Sequence, residues 1–321
     1  MANLSVSVAM VRPVSIPFRV DETNSQAWTA VAHSARVDHR AVTLVGDPLG
    51  GSNFADVARL YPYEKVSDRV RAYLMAGIEH MLTWADLTAP LKFHEEQVTN
   101  VMLRPAYTLA RATIEASAQA VWLMDTLDPI ECIRRHVSLM RWDLQEHRKS
   151  KIDQAEKDVI KARETELLRR VSQVFKPEDI KPPNTYLEVI RSACTARGLS
   201  LDADSVERIW RAASGAAHGK YWPTLDLQHI QVGDEYEPGH HRTVQLPDAS
   251  AITEVLEAAN TMSQYGVALY AQYAGADVAA VLGEATAWVA ERVQLKPAAQ
   301  LNSTESAGIC LPGANITRPK G

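Results

Sequence analysis

An arginine and a histidine seven residues apart, Arg211 and His218, are the residues of this sequence best placed to do chemistry together. On an α-helix, seven steps turn the chain by about 700° and advance it by about 10.5 Å, so the two side chains share one face. Beside a phosphodiester, an imidazole can move a proton on a ribose 2′-hydroxyl or on the leaving oxygen, and a guanidinium can stabilise charge on the phosphate. The pair therefore predicts an RNA-cleaving site that needs no metal ion.

The interval between the pair, residues 212–217, contains only alanine, serine and glycine. Small side chains let a second helix approach closely, so this face suits contact with a second subunit. Ser214, which lies between the pair, is included as a supporting site residue. A plainer interpretation is that His218 caps the helix end, Arg211 pairs with a carboxylate such as Glu207, and the small residues serve only tight packing. The spacing alone leaves both interpretations open.

A second charged pair, Arg111 and Glu115, lies one helical turn apart in a segment that also contains Ile114 and Trp122. The apolar neighbours favour a partly buried ion pair with a structural role. If this helix faces the one that carries His218, Glu115 could instead orient the imidazole. We therefore include Arg111 and Glu115 as supporting residues of the predicted site.

Most of the chain carries apolar residues at three- and four-residue steps, which is typical of amphipathic helices. Asp128 followed by Pro129 predicts a helix start, because an acidic cap and a proline in the first turn both favour it. A later helix, from about Asp204 to His218, ends at Gly219 and carries the arginine and the histidine. The sequence thus predicts a mainly α fold, an up-and-down helical bundle.

Three segments differ from this pattern and set the expected domain organisation. Residues 1–60 mix proline, glycine and short apolar alternations, which predicts a flexible or partly ordered N-terminal arm with one or two short strands. Alternating residues around a polar loop predict a small β-hairpin inserted near 225–246. Residues 296–321 are rich in proline, glycine, serine and threonine, which predicts a disordered tail. One helical domain is expected to span 61–295.

The composition restricts the class of protein. The 34 Lys and Arg against 39 Asp and Glu give a net charge of -5, so any contact with RNA must be local. No apolar stretch approaches the roughly 20 residues that cross a bilayer, and the N-terminus lacks the pattern of a secretion signal. The three cysteines, Cys132, Cys194 and Cys310, have no spacing that suits a metal or a disulfide framework. We expect a cytoplasmic protein with no membrane association, metal or cofactor.

The arginine, the six small residues and the histidine on a late core helix resemble the signature of the HEPN superfamily of helical-bundle ribonucleases and nucleotide-binding proteins. The residues closest to one uncharacterised branch are Trp210, Arg211, Ser214, His218 and Gly219. Residues 111–115 and 122–125 also resemble that branch's earlier core helix, and the whole resemblance covers about 66–219. It implies that Arg211 and His218 are the catalytic pair, that two subunits join their motifs as a homodimer, and that cleavage is metal-independent.

Two functions follow from these residues. The first is a metal-independent endoribonuclease that acts on RNA as a growth-arrest or phage-defence effector, as the resemblance implies. The alternative is a non-catalytic helical scaffold that binds a protein partner or a nucleotide through the same small-residue face. Ala212 favours the alternative, because RNA-cleaving members of the superfamily usually carry a polar residue after the arginine.

Overall fold

A computed structural model describes residues 17–18, 20–92, 101–293 and 309–310 of the chain. Within these residues the fold is mainly α-helical, as predicted. The helices are α1 (Glu22–Val45), α2 (Asn53–Leu60), α3 (Val66–Thr88), α4 (Leu103–Met124), α5 (Pro129–Ser150), α6 (Gln154–Val171), α7 (Tyr186–Cys194), α8 (Ala203–Ala217), α9 (Trp222–Leu227), α10 (Ala249–Tyr273) and α11 (Val278–Ala290). The strands are β1 (Pro17–Phe18), β2 (Gln228–Glu237), β3 (His240–Pro247) and β4 (Ile309–Cys310).

Helix α4 is the centre of the structure, because it packs against α3, α7, α8 and α10. Glycines let neighbouring helices come close to it. A Cβ on Gly77 of α3 would lie 2.8 Å from the Ser117 hydroxyl oxygen on α4, and one on Gly266 of α10 would lie within 3.4 Å of Val121 Cγ2 on α4. Larger side chains at these two glycines would therefore push the central helices apart.

Helix α1 corrects the prediction of a flexible or partly ordered arm over residues 1–60. It packs against α3, α10 and α11. The Trp28 indole N–H donates to the Thr253 hydroxyl of α10 at 2.8 Å, and its ring meets Trp84 of α3 edge to face with centroids 5.6 Å apart. Residues 22–60 thus contain two helices, and the first of them belongs to the core.

The predicted starts of two helices, α5 and α8, are confirmed. The Asp128 carboxylate accepts a hydrogen bond from the Ile130 backbone N–H at 2.9 Å, so α5 begins at Pro129 as expected. Helix α8 begins one residue before the predicted Asp204. Both starts are fixed by an aspartate cap, a signal that can be read locally in the sequence.

The predicted hairpin is also confirmed, as the antiparallel pair of β2 and β3. Its register joins Gln228 to Pro247 at the base, and most side chains of β2 are exposed. The hairpin is therefore inserted in the chain between α9 and α10.

The predicted tail over 296–321 lies outside the described residues except for Ile309–Cys310, which pairs antiparallel with Pro17–Phe18.

Candidate functional site

Helix α8 is fixed at its start by a local cap. The Asp202 carboxylate accepts a hydrogen bond from the Ser205 backbone N–H at 2.8 Å. This bond lowers the pKa of Asp202, because it stabilises the ionised carboxylate. The cap thus fixes the residue at which the helix that carries Arg211 and His218 begins.

The end of α8 is a reversal of the chain at Gly219. His218 is the last residue before the reversal, and Gly219 adopts a positive φ of 67° that favours glycine. The Lys220 backbone N–H donates to the Gly215 carbonyl at 2.9 Å, and the Gly219 N–H donates to the Ala216 carbonyl at 3.2 Å. This is the Schellman arrangement, and it holds His218 at the helix terminus.

Arg211 is exposed but paired. Its side chain is 58% exposed, and its Nη2 lies 2.7 Å from Glu207 Oε1. Arg191 of α7 binds the other oxygen of the same carboxylate, 2.5 Å from Glu207 Oε2. The hydrogen bond from Arg211, with that from Arg191, lowers the pKa of Glu207, so this carboxylate is ionised at neutral pH. The plainer prediction of a pair between Arg211 and Glu207 is therefore confirmed.

His218 is exposed as well, and the structure shows no hydrogen bond or ion pair for its imidazole with any residue that it describes. Ser214 lies between the two site residues and is half-buried. Its backbone carbonyl accepts the His218 N–H at 3.1 Å. The side chains of Arg211 and His218 are thus both exposed to solvent, on the common face of the helix that their spacing predicts.

Four of the six small residues between the pair pack inside the chain. Ala212, Ala213 and Ala216 are buried in the same apolar cluster as residues of α4. A Cβ on Gly215 would lie 2.7 Å from Pro223 Cγ, so this glycine is covered by α9. The expectation that these residues form a face for a second subunit is wrong, because α4 and α9 already occupy it. The homodimer remains a prediction, without this contact to support it.

Arg111 and Glu115 form a partly buried pair between α4 and α8. Arg111 Nε donates to Glu115 Oε1 at 2.8 Å, and the Trp210 indole N–H donates to the same oxygen at 2.7 Å. The Arg111 guanidinium also lies 5.3 Å from the Trp210 ring centroid. Trp210 precedes His218 by eight residues, about 12 Å along the helix. The pair therefore positions Trp210, and the structure does not bring Glu115 to His218.

Two residues near the pair are absent from the predicted site. Arg104, at the start of α4, donates to the Ala216 carbonyl at 3.3 Å, beside the end of α8. Trp222 lies against Gly215 and keeps 44% of its surface exposed. In the sequence, Trp222 stands between Gly219 and Pro223, a pattern that indicates a turn. The pattern does not show what the indole contacts.

Other kinds of site find no support in the described part of the chain. It contains no group of three His, Cys, Asp or Glu residues that could hold a metal ion. None of its helices combines the length and the apolar character needed to cross a membrane.

Comparisons with protein-family models, with curated proteins and with solved structures find no match to this chain.

Proposed function

We propose that the chain is a metal-independent endoribonuclease in which Arg211 and His218 act on one phosphodiester of RNA. The observation that carries the proposal is that both side chains leave the same face of α8 and are exposed to solvent. A polyanion can therefore reach the guanidinium and the imidazole together. The resemblance of the same residues to the HEPN signature supports this chemistry, and implies a growth-arrest or phage-defence role.

The reaction uses the ribose 2′-hydroxyl as nucleophile. Its oxygen attacks phosphorus, and its proton passes to the neutral imidazole of His218. The bond from phosphorus to the 5′-oxygen breaks, and the imidazolium returns the proton to that oxygen. The products are a 2′,3′-cyclic phosphate and a 5′-hydroxyl.

Arg211 can stabilise the phosphate despite its ion pair. Glu207 contacts Nε and Nη2 of the guanidinium. A guanidinium carries five N–H donors, so those on Nη1 remain for phosphate oxygens. Glu207 thus holds the guanidinium in one orientation, which reduces the conformational entropy lost when the phosphate binds.

Because the mechanism needs the 2′-hydroxyl, RNA should be cleaved in EDTA, and the same strand with 2′-deoxyribose at every position should stay intact. Gel analysis of end-labelled strands, with a test for the terminal cyclic phosphate, measures both expectations. Cleavage of the DNA strand, or loss of RNA cleavage in EDTA, would contradict the proposed mechanism.

A second function, a non-catalytic scaffold, is favoured by the ion-pair cluster. Glu207 joins Arg191 and Arg211, as it would in a purely structural surface. The small-residue face predicted for such a scaffold is buried, so a nucleotide or protein partner would have to contact Arg211 itself.

On the scaffold hypothesis, Arg211→Ala weakens ligand binding by about 10- to 150-fold, because a hydrogen bond to a charged group contributes about 1.5–3 kcal/mol. The matched control is Arg208→Ala, since Arg208 lies on the same helix, is also 58% exposed and also pairs with a glutamate, Glu254. Calorimetric titration of both variants with a nucleoside monophosphate measures the effect. Equal affinities in the two variants, together with RNA cleavage that depends on His218, would remove the scaffold.

A further inference from the structure

The indole of Trp222 lies on the helix that carries the candidate pair. After the reversal at Gly219 the chain returns over α8, and α9 begins at Trp222. A Cβ placed on Gly215 would lie 3.0 Å from Trp222 Cζ2 and 2.7 Å from Pro223 Cγ. Only a glycine at 215 leaves room for the tryptophan and the proline in these positions.

Gly215 lies between Arg211 and His218 along the axis of α8, and to one side of both around it. It follows Arg211 by four residues, about 40° around the axis, and precedes His218 by three, about 60° in projection. An indole that covers Gly215 therefore flanks the line from the guanidinium to the imidazole. Ser214 lies on the other flank, about 60° from Arg211.

This indole is exposed, and basic side chains lie close to it in the chain and on α8. Trp222 is 44% exposed, and its neighbour Tyr221 is 65% exposed. Arg211 is exposed one helical turn before Gly215, and Lys220 is exposed two residues before Trp222. A Cβ on Gly219 would lie 3.4 Å from Arg104 Nη1. Of the nearby carboxylates, Glu207 is held by two arginines, and Asp226 lies four residues further along α9.

We propose that Trp222 is a stacking platform that holds one unpaired nucleobase beside the Arg211 and His218 pair. An exposed aromatic ring next to cations suits a nucleotide, because the base stacks on the ring while the backbone phosphate meets the positive charges. The choice of RNA over DNA rests on the proposed ribonuclease function. The stacking contact requires only a base and its phosphate.

The test is the binding of a fluorescein-labelled, unstructured 12-nucleotide RNA to protein that carries His218→Ala, so that cleavage does not interfere. Adding Trp222→Ala should weaken the affinity about 5- to 150-fold, the range for loss of one stacked base. Trp222→Tyr keeps an aromatic face and should stay within about threefold of the parent. Leu225→Ala is the matched control, because Leu225 is 54% exposed on the same short helix.

Two further probes separate this proposal from the proposed function. Single-stranded DNA of the same sequence should show the same dependence on Trp222, and a strand that lacks its bases should show none. If the wild-type protein cleaves no RNA but these binding results hold, the ribonuclease fails and the platform stands. The platform is overturned if Trp222→Ala binds as tightly as the parent, or if it changes only the molecular mass in size-exclusion chromatography with light scattering, which indicates a protein interface.

Discussion

Replacing His218 with alanine should slow RNA cleavage by about 10²- to 10⁴-fold, the contribution of a positioned acid-base group. The imidazole is exposed at the end of α8. Its loss therefore removes proton transfer and little buried surface. Single-turnover cleavage of a labelled RNA in EDTA measures the rate, and the thermal unfolding midpoint of the variant should equal that of the wild type.

The matched control is His229→Ala, because His229 is also exposed, at 67%, and lies on the hairpin, where its Nε2 is 3.5 Å from an Asp248 carboxylate oxygen. This variant should cleave at the wild-type rate. Adding imidazole to the buffer should restore part of the activity of His218→Ala, since a free imidazole can enter the space that the side chain leaves. Equal rates in the wild type and His218→Ala would exclude His218 from the chemistry.

Helices with a local start signal could be predicted from the sequence. Asp128 and Pro129 stand side by side, and the cap that they imply is present in the structure. Asp202 caps α8 in the same way. In both cases the hydrogen bond joins residues two or three positions apart, so no tertiary contact is needed to specify it.

Helix α1 could not be predicted in this way, because its buried face has an unusual composition. Alanines occupy several core positions, among them Ala32, Ala35 and Ala41, and alanine gives little hydrophobic contrast. The polar residues Arg36 and Asp38 are buried on the same helix. These alanines and buried polar residues make the apolar period of the helix weak. The partners that stabilise the buried polar residues lie far away in the sequence, so the burial could not be predicted from the local pattern.

The candidate site was predictable in orientation and not in surroundings. The spacing of Arg211 and His218 fixes their common face through helix geometry alone. Which elements cover the small residues between them depends on the tertiary fold, and these proved to be α4 and α9 of the same chain. For the same reason the sequence could not show that Glu115 contacts Trp210.

Asp38 is the least expected residue of the core. It is 2% exposed, and the Ser263 hydroxyl donates to its Oδ2 at 2.8 Å. Burial raises the pKa of this carboxyl from 3.8 to about 7, although the bond from Ser263 lowers it. Burial costs more than one hydrogen bond returns, since the ionised form loses most of its hydration.

Asp38→Asn should therefore stabilise the protein, and the gain should grow with pH. Native Asp38 keeps its proton to a higher pH than the unfolded chain does, so the native state binds more protons between about pH 4 and 7, and the free energy of unfolding falls as the pH rises through that window. Asparagine cannot ionise and removes this loss. A shift of about three pKa units corresponds to roughly 4 kcal/mol, which is the upper limit of the gain above pH 7.

Urea unfolding of both proteins from pH 4 to pH 8.5 tests this, because the difference between the two curves cancels the groups that they share. The difference should be small near pH 4, increase by at most about 1.4 kcal/mol per pH unit, and level off above pH 7. Asp234→Asn, at an exposed position of the hairpin, should give a flat difference. A flat difference for Asp38→Asn as well would show that burial does not raise the pKa of this carboxyl in the native protein.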